Sequence, residues 1–347
     1  MAKYNIVIEK KYSLNNRQIK IHHNAEKNIT IEAINQIRNI LKIKNILSPK
    51  EYFKKLIFQL NINEEISWLD FLPKHKTNEY FCYLKKEIKD SEIFITSYFL
   101  NAYIKRKQLF NLLVNVKQQN NKEIEIPEYL HDTVTGRSRI INGFNFLTMK
   151  KESKNKLRPF SKEHNLFEID FKSCEPYFYL HFIKKSNLIT TNVYDLLASL
   201  CNANIACKEK FKRGCLAILY GAPYMTVKRI SNITETQYNQ IISFLEIKDF
   251  KTSLSRKFND LGCFYNFYNR PLLQNNSLVN HWIQSSVADY CCLAFGKFVK
   301  ENSDVIPHAI IHDAMIFSYP KNKKIDVKFL SDDISNFKIP VRIKRLF

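Results

Sequence analysis

Glycine is scarce in this chain, with six in 347 residues. Two of them stand in "TGRSRIINGFN" and another closes "ILYG", so no glycine-rich phosphate loop exists. P-loop and dinucleotide-binding readings fall away with it. The eight cysteines include no Cys-x-x-Cys pair, which argues against a structural zinc site. They sit in mostly apolar surroundings, as free thiols of a reducing compartment do. No apolar run is long enough to cross a bilayer, and "MAKYNIVIEKKYS" at the start lacks the apolar core of a secretory signal. The expectation is an intracellular, cytoplasmic protein with no membrane partner. Acidic residues are also in short supply: 33 against 54 Lys and Arg, a net charge of +21. A charge that large repels itself unless an anionic partner offsets it. Nucleic acid is the first such partner to consider and an anionic membrane surface the second.

Hydrophobic residues make up 45% of the chain, enough for a core shared by two or three subdomains. Residues 1–75 alternate apolar and Lys-rich stretches. "ITIEAINQIRNILKIK" (29–44) and "SPKEYFKKLIFQL" (48–60) have helical spacing, the second with Ser48 as cap and Pro49 at its first position. Residues 76–125 read as longer helices with basic faces, including "YFLNAYIKRKQLFNLLVNVKQQNNK". From about 131 the pattern changes. "LFEIDF" and "HAIIHDAMIFSY" read as strands, and 187–260 between them reads as mainly helical.

The stretch "HAIIHDAMIF" carries an Asp at the crest of an otherwise apolar hairpin. Tight turns accept Asp readily, which explains one such residue taken alone. A second Asp closes the strand "LFEIDF". Asp170 and Asp313, if on neighbouring strands, suit a chemistry with a definite need for two carboxylates. Phosphoryl transfer onto a growing chain uses two divalent ions, one activating a 3′-hydroxyl and one holding a triphosphate. Lys208, Lys212, Leu216 and Tyr220 recur at four-residue steps, so they line one helix face. Asn280 and Gln284 share a face by the same spacing.

Five stretches in order carry a resemblance. "TVTGRSR" (133–139), "DFKSCEP" (170–176), "KEKFKRGCLAILYG" (208–221), "NHWIQSSVAD" (280–289) and "HD" (312–313) resemble the motifs of the family A DNA polymerases, the bacterial DNA polymerase I group. The resemblance spans roughly 131–319. Each motif alone is weak; the ordered set is specific.

The resemblance implies an α+β right-hand polymerase fold with an antiparallel palm sheet, helical fingers and a helical thumb. The expected division is 1–75 without assigned role, 76–130 thumb-like helices, 131–186 first part of the palm, 187–262 fingers, and 263–347 second part of the palm. It implies Asp170, Asp313 and Phe171 as the metal-holding set for two Mg²⁺ ions, with Mn²⁺ able to substitute. Lys208, Lys212, Leu216, Tyr220 and Glu175 are implied to bind the nucleotide. Lys212 would also give a proton to the departing pyrophosphate. Tyr220 and Glu175 would close the space beneath the sugar and exclude a 2′-hydroxyl. Arg137, Asn280, Gln284 and His312 would meet the primer–template, where minor-groove acceptors are nearly alike in all pairs. Arg158 and Arg270 are added as phosphate-binding candidates.

The chain departs from the family pattern at three places. Ala314 follows Asp313 where the family has Glu, Leu216 replaces an aromatic that stacks on the incoming base, and Pro176 follows Glu175. A second register sets Tyr220 as the stacking aromatic and Tyr224 as partner of Glu175, but puts Leu216 in the place of the proton-donating lysine. No Asp-x-Glu exonuclease signature occurs in a strand context, so no proofreading is expected. The expected partners are primer–template nucleic acid, DNA foremost, and dNTPs, with an accessory replication protein compatible and a monomer expected. Two rivals stand beside this reading: a single-subunit RNA polymerase, which Glu175 opposes, and an inactive nucleic-acid-binding protein on the same fold.

Overall fold

The structure, a computed structural model, describes residues 104–347 apart from 121, 131–132, 204–207, 257–262 and 274–276, with residue 102 and four two-residue strands before residue 22. The chain divides into two units, 1–104 with 131–133, and 105–130 with 134–347. In the first unit, Ile6–Val7 pairs with Lys20–Ile21 and Ser13–Leu14 with Arg17–Gln18, both antiparallel. The expected helices at 29–44 and 48–60, and the part of 76–125 before residue 102, lie outside the described residues.

The second unit runs α1 (Ile104–Asn111), β1 (Val116–Gln118), β2 (Glu123–Ile124), β3 (Glu128–Leu130), β4 (Arg139–Asn142), β5 (Leu157–Arg158) and β6 (His164–Phe171). Helices follow: α2 (Cys174–Phe182), α3 (Val193–Leu200), α4 (Lys208–Leu219), α5 (Tyr224–Ile230), α6 (Glu235–Phe244) and α7 (Ile247–Arg256). The chain then forms β7 (Cys263–Tyr265), β8 (Pro271–Leu273), α8 (Leu278–Glu301), β9 (Ile306–Ile311), β10 (Ala314–Pro320), β11 (Phe329–Leu330) and β12 (Ile339–Arg345).

The basic stretch after α1 is not one long helix. It turns into β1 and β2, which pair antiparallel. The side-chain oxygen of Asn115, just before β1, accepts from the Ile126 N–H, just after β2, at 3.0 Å and ties the open end of this hairpin.

A five-stranded antiparallel sheet organises the unit, in the order β9-β10-β6-β12-β11. Successive side chains of β6 point to opposite faces. Phe167, Ile169 and Phe171 take one face, where Phe171 lies 5.5 Å from Tyr290 and 5.1 Å from Phe295 of α8. Phe317 of β10 stacks on Phe167 at 5.6 Å and meets Phe298 at 5.8 Å. Apolar residues surround α8 on all sides, so it serves as a core helix rather than a surface one. Leu166, Glu168 and Asp170 take the opposite face of β6. Leu166 is buried there with Val116, Phe146, Leu157 and Ile316, under the small sheet β2-β1-β5. Asp170, at the other end of the strand, lies beyond this covered core.

The segment between β6 and α8 is largely helical, and its helix starts are written in the sequence. Asn192 accepts from the N–H groups of Tyr194 and Asp195 at the start of α3. Thr234 and Gln237 form a reciprocal capping box at α6.

Phe317 is fully buried between β6 and α8. Phe317→Ala is expected to lower stability by about 3–5 kcal/mol, read from the midpoint shift in urea unfolding.

Candidate active site

β6 ends at Asp170–Phe171, and the chain turns at once into α2. Ser173 makes that turn with φ 53°, in the left-handed region. Glu175 therefore falls in the first turn of α2, within reach of the strand end. Pro176 lies in the same turn, where its missing N–H would have lacked a helical partner anyway. The departure at Pro176 thus suits the local geometry.

β9 and β10 form a hairpin in which Ile311 pairs with Ala314, leaving His312 and Asp313 as the two turn residues. His312 has φ 53°, an uncommon conformation for a residue with a side chain. Ala314 pairs with Asp170 across β10 and β6, and the Phe171 N–H donates to the Asp313 carbonyl at 3.1 Å. The two aspartates from distant parts of the chain therefore stand side by side. Both are held above the ordinary carboxylate range. Burial raises Asp170 first and the charge of Asp313 second, with Arg342 opposing. Burial also raises Asp313 first, with Glu175 adding to it and Arg137 and Lys154 opposing.

A hydrogen-bonded chain runs beside this pair. Tyr220 donates its hydroxyl to Glu175 Oε2, and Arg137 Nη2 donates to Glu175 Oε1. The Gln284 side chain hydrogen-bonds the Tyr220 hydroxyl in turn, while burial and the Glu175 charge raise the Tyr220 pKa. Four segments meet here: the 135–139 loop, α2, the end of α4, and α8. Helix ending fixes Tyr220. The Ala222 N–H donates to Ala217 O at 2.9 Å and the Gly221 N–H to Ile218 O at 2.8 Å, with Gly221 at φ 79°. That is a Schellman ending, which needs glycine just past the last helical residue. Tyr224 instead begins α5 and packs against Tyr238 at 5.6 Å, so the residue that meets Glu175 is Tyr220.

Behind Arg137 lies a buried ion network. Asp289 is 0% exposed and accepts from Arg270 Nη2 at 2.7 Å and Nε at 3.0 Å, from Asn266 at 2.9 Å, and from Arg106 at 3.4 Å. Arg106 also donates to the Gly136 carbonyl at 2.5 Å and to Ser138 Oγ at 3.1 Å. Gly136 has φ 67°, and a Cβ there would stand 2.4 Å from the Arg270 guanidinium carbon. The glycine is required by this close approach, and the loop is pressed into the shape that presents Arg137. A cavity of about 250 Å³ opens among Arg137, Glu175, Ala288, Ile310, His312 and Asp313.

The remaining expected residues divide. Lys208, exposed at the start of α4, pairs with Asp195 at 3.5 Å. Lys212 lies one turn on, its ammonium 5.6 Å from the Tyr194 ring centre, and Leu216 is half-buried. Asn280 sits one turn before Gln284 on α8, with its side-chain oxygen buried and lacking a hydrogen-bond partner. The His312 pKa is lowered by burial and by the Arg137 charge. Phe171 has a buried side chain without a ligand atom, so its backbone carbonyl is the group that could meet a metal.

Two arginines require correction. Arg270 is buried on Asp289 and is no surface phosphate contact. Arg158 donates to the carbonyls of Asn155 and Leu157, both at 2.8 Å, and stacks 4.3 Å over the Phe347 ring. Its fork is engaged by its own neighbourhood, away from the carboxylate pair. Sequence reasoning also missed residues. Arg342 of β12 pairs with Asp170 at 2.9 Å, and Arg106 shares the Asp289 network. Neither belongs to a recognisable motif; only the apolar–basic alternation of "VRIKR" hinted at a strand with a basic face.

No protein-family model matches this chain, and no curated protein matches it. Among solved structures it is similar to the POL domain of Pol1 from M. smegmatis in complex with DNA primer–template and dNTP, at 15% identity and a TM-score of 0.47. The match covers 90% of this chain and spans 64% of that one. No described helix is long and apolar enough to cross a membrane.

Two predictions follow from the electrostatics. A carboxyl group with a raised folded-state pKa favours the folded state below its unfolded pKa and loses that contribution as the pH rises through its folded value. Asp313→Asn is therefore expected to stabilise the metal-free protein at pH 7 by roughly 0.5–2 kcal/mol. The gain should shrink as the pH falls toward the ordinary aspartate value of 3.8, in thermal melts across pH. Asp289→Ala leaves two buried guanidinium groups short of a partner and should cost about 3–5 kcal/mol, measured by chemical denaturation.

Proposed function

We propose that this chain is a template-directed DNA polymerase that adds deoxynucleotides to a primer 3′-hydroxyl and releases pyrophosphate, without proofreading. One observation carries the reading: Asp170 and Asp313 meet at adjoining strand ends, and the Glu175–Tyr220 contact closes the space beside them. The ordered motifs of the family A resemblance supply the chemistry that this arrangement suits. In that reading the five-stranded sheet is the palm and the helices between β6 and α8 are the fingers.

The donor set fits a pair of Mg²⁺ ions. Its ligand atoms are oxygens, which hard cations prefer. Among the described residues no cluster of three or more His, Cys, Asp or Glu side chains has metal-binding geometry. Mg²⁺ sites built from one or two carboxylates with water and substrate phosphates have this lean composition. Four carboxylates, Asp170, Asp313, Glu175 and Glu168, stand among three cations, Arg137, Arg342 and Lys154, leaving excess negative charge. Asp170, Asp313 and the Phe171 carbonyl would hold the ions. Bound there, they supply Lewis-acid activation of the hydroxyl and neutralise the triphosphate.

The chain's own residues do the rest. Lys208 and Lys212 grip the triphosphate, and Lys212 passes a proton to the departing pyrophosphate. Leu216 lies against the incoming base with less stacking surface than an aromatic offers. Glu175 and Tyr220, locked together, leave no room for a 2′-hydroxyl. Arg137, Gln284 and Asn280 read the shape of the minor groove at the primer end, and His312 contacts the terminus. The surplus of surface Lys and Arg binds phosphates without reading sequence.

Primer extension with purified protein, four dNTPs and Mg²⁺ or Mn²⁺, on DNA and RNA templates, tests the proposal. Extension should vanish with chelator and with Asp313→Ala, and Lys212→Ala should slow single-turnover incorporation by about 10²–10⁴-fold. Glu175→Ala should raise rNTP incorporation relative to dNTP. A clear rNTP preference in the wild type would assign an RNA polymerase instead. Equal traces from the wild type and Asp313→Ala would leave a binding protein without catalysis.

A further inference from the structure

Arg342 stands opposite Asp170 in the register of β6 and β12, two residues along the strand from Lys344, which stands opposite Glu168. Its Nη2 donates to Asp170 Oδ2 at 2.9 Å. The Arg342 side chain is 67% exposed and that of Asp170 30% exposed. An ion pair this open adds little to the stability of the fold. Its effect on the site is larger, because the guanidinium covers an oxygen of the very carboxylate that a cation would need.

We propose that Arg342 is a stand-in cation: it occupies Asp170 in the metal-free protein and must swing aside before Asp170 ligates a divalent ion. The inference rests on the metal-holding role given to Asp170 above. Three features favour it. Arginine cannot lose its proton to make way, so it yields only by moving. The side chain projects from the sheet into solvent, so it has room to move. A guanidinium left beside a bound divalent ion repels it, so the two compete for the carboxylate. Arg342 thereby sets how much metal the site needs, apart from any part in the chemical step.

The test is Mn²⁺ binding to the full chain without nucleotide or nucleic acid, followed by the electron paramagnetic resonance signal of free Mn²⁺. Arg342→Gln is expected to bind Mn²⁺ about two- to fivefold tighter than the wild type, the scale of one exposed ion pair. Arg342→Lys, which keeps the charge, should stay close to the wild type. Asp170→Asn should lose the binding and so locate it. Circular dichroism of each variant checks that the fold is intact. If Arg342→Gln binds like the wild type while Asp170→Asn loses binding, the stand-in role is wrong and the polymerase reading survives. If no Mn²⁺ binding depends on Asp170 in any variant, both are wrong.

Discussion

A carboxylate that is mostly buried must be paired, and Glu175 is the place where this chain meets that requirement. Its two oxygens take a guanidinium from the 135–139 loop and a hydroxyl from the end of α4. Gln284 then engages the same hydroxyl from α8. Segments far apart in the chain are drawn to one point by one acidic side chain. The nearby aspartates owe part of their surroundings to it, since Glu175 adds to the field felt by Asp313 while Arg137 offsets it.

The elements that position these groups store strain rather than relieve it. Ser173 and His312, both left-handed, flank the two aspartates in the chain. Each is a conformation that a side chain disfavours, and such residues persist where the surrounding structure over-determines them. Here the surroundings are a buried strand on one side and a core helix on the other. Like charges forced together at the same spot add a second penalty. Both penalties at one spot suit the role proposed for the two aspartates.

Much of this was legible in the sequence because it depends on local rules. Strands with an Asp at the end of one and the crest of another, and a four-residue step on α4, each follow from short-range geometry. So does the reading of 187–260 as mainly helical, within its described residues. What escaped was the pairing of distant segments. Nothing within "YNRPLL" says that Arg270 turns inward, because its partner Asp289 lies on another element. Arg342 was invisible for the same reason: the register of β12 against β6, not composition, sets it opposite Asp170. The basic stretch after α1 was misread because β1 takes a distant strand, β5, as well as β2 for its partners.

The cluster around Asp289 has one more implication. Its charges lie out of water, where dissolved ions screen them little, whereas exposed charges fade beyond a Debye length of about 8 Å at physiological ionic strength. The posture of the Gly136 loop is therefore indifferent to the ionic medium. The proposed grip on a polyanion through surface lysines would weaken as electrolyte rises, but the aim of the residue that the loop carries would not.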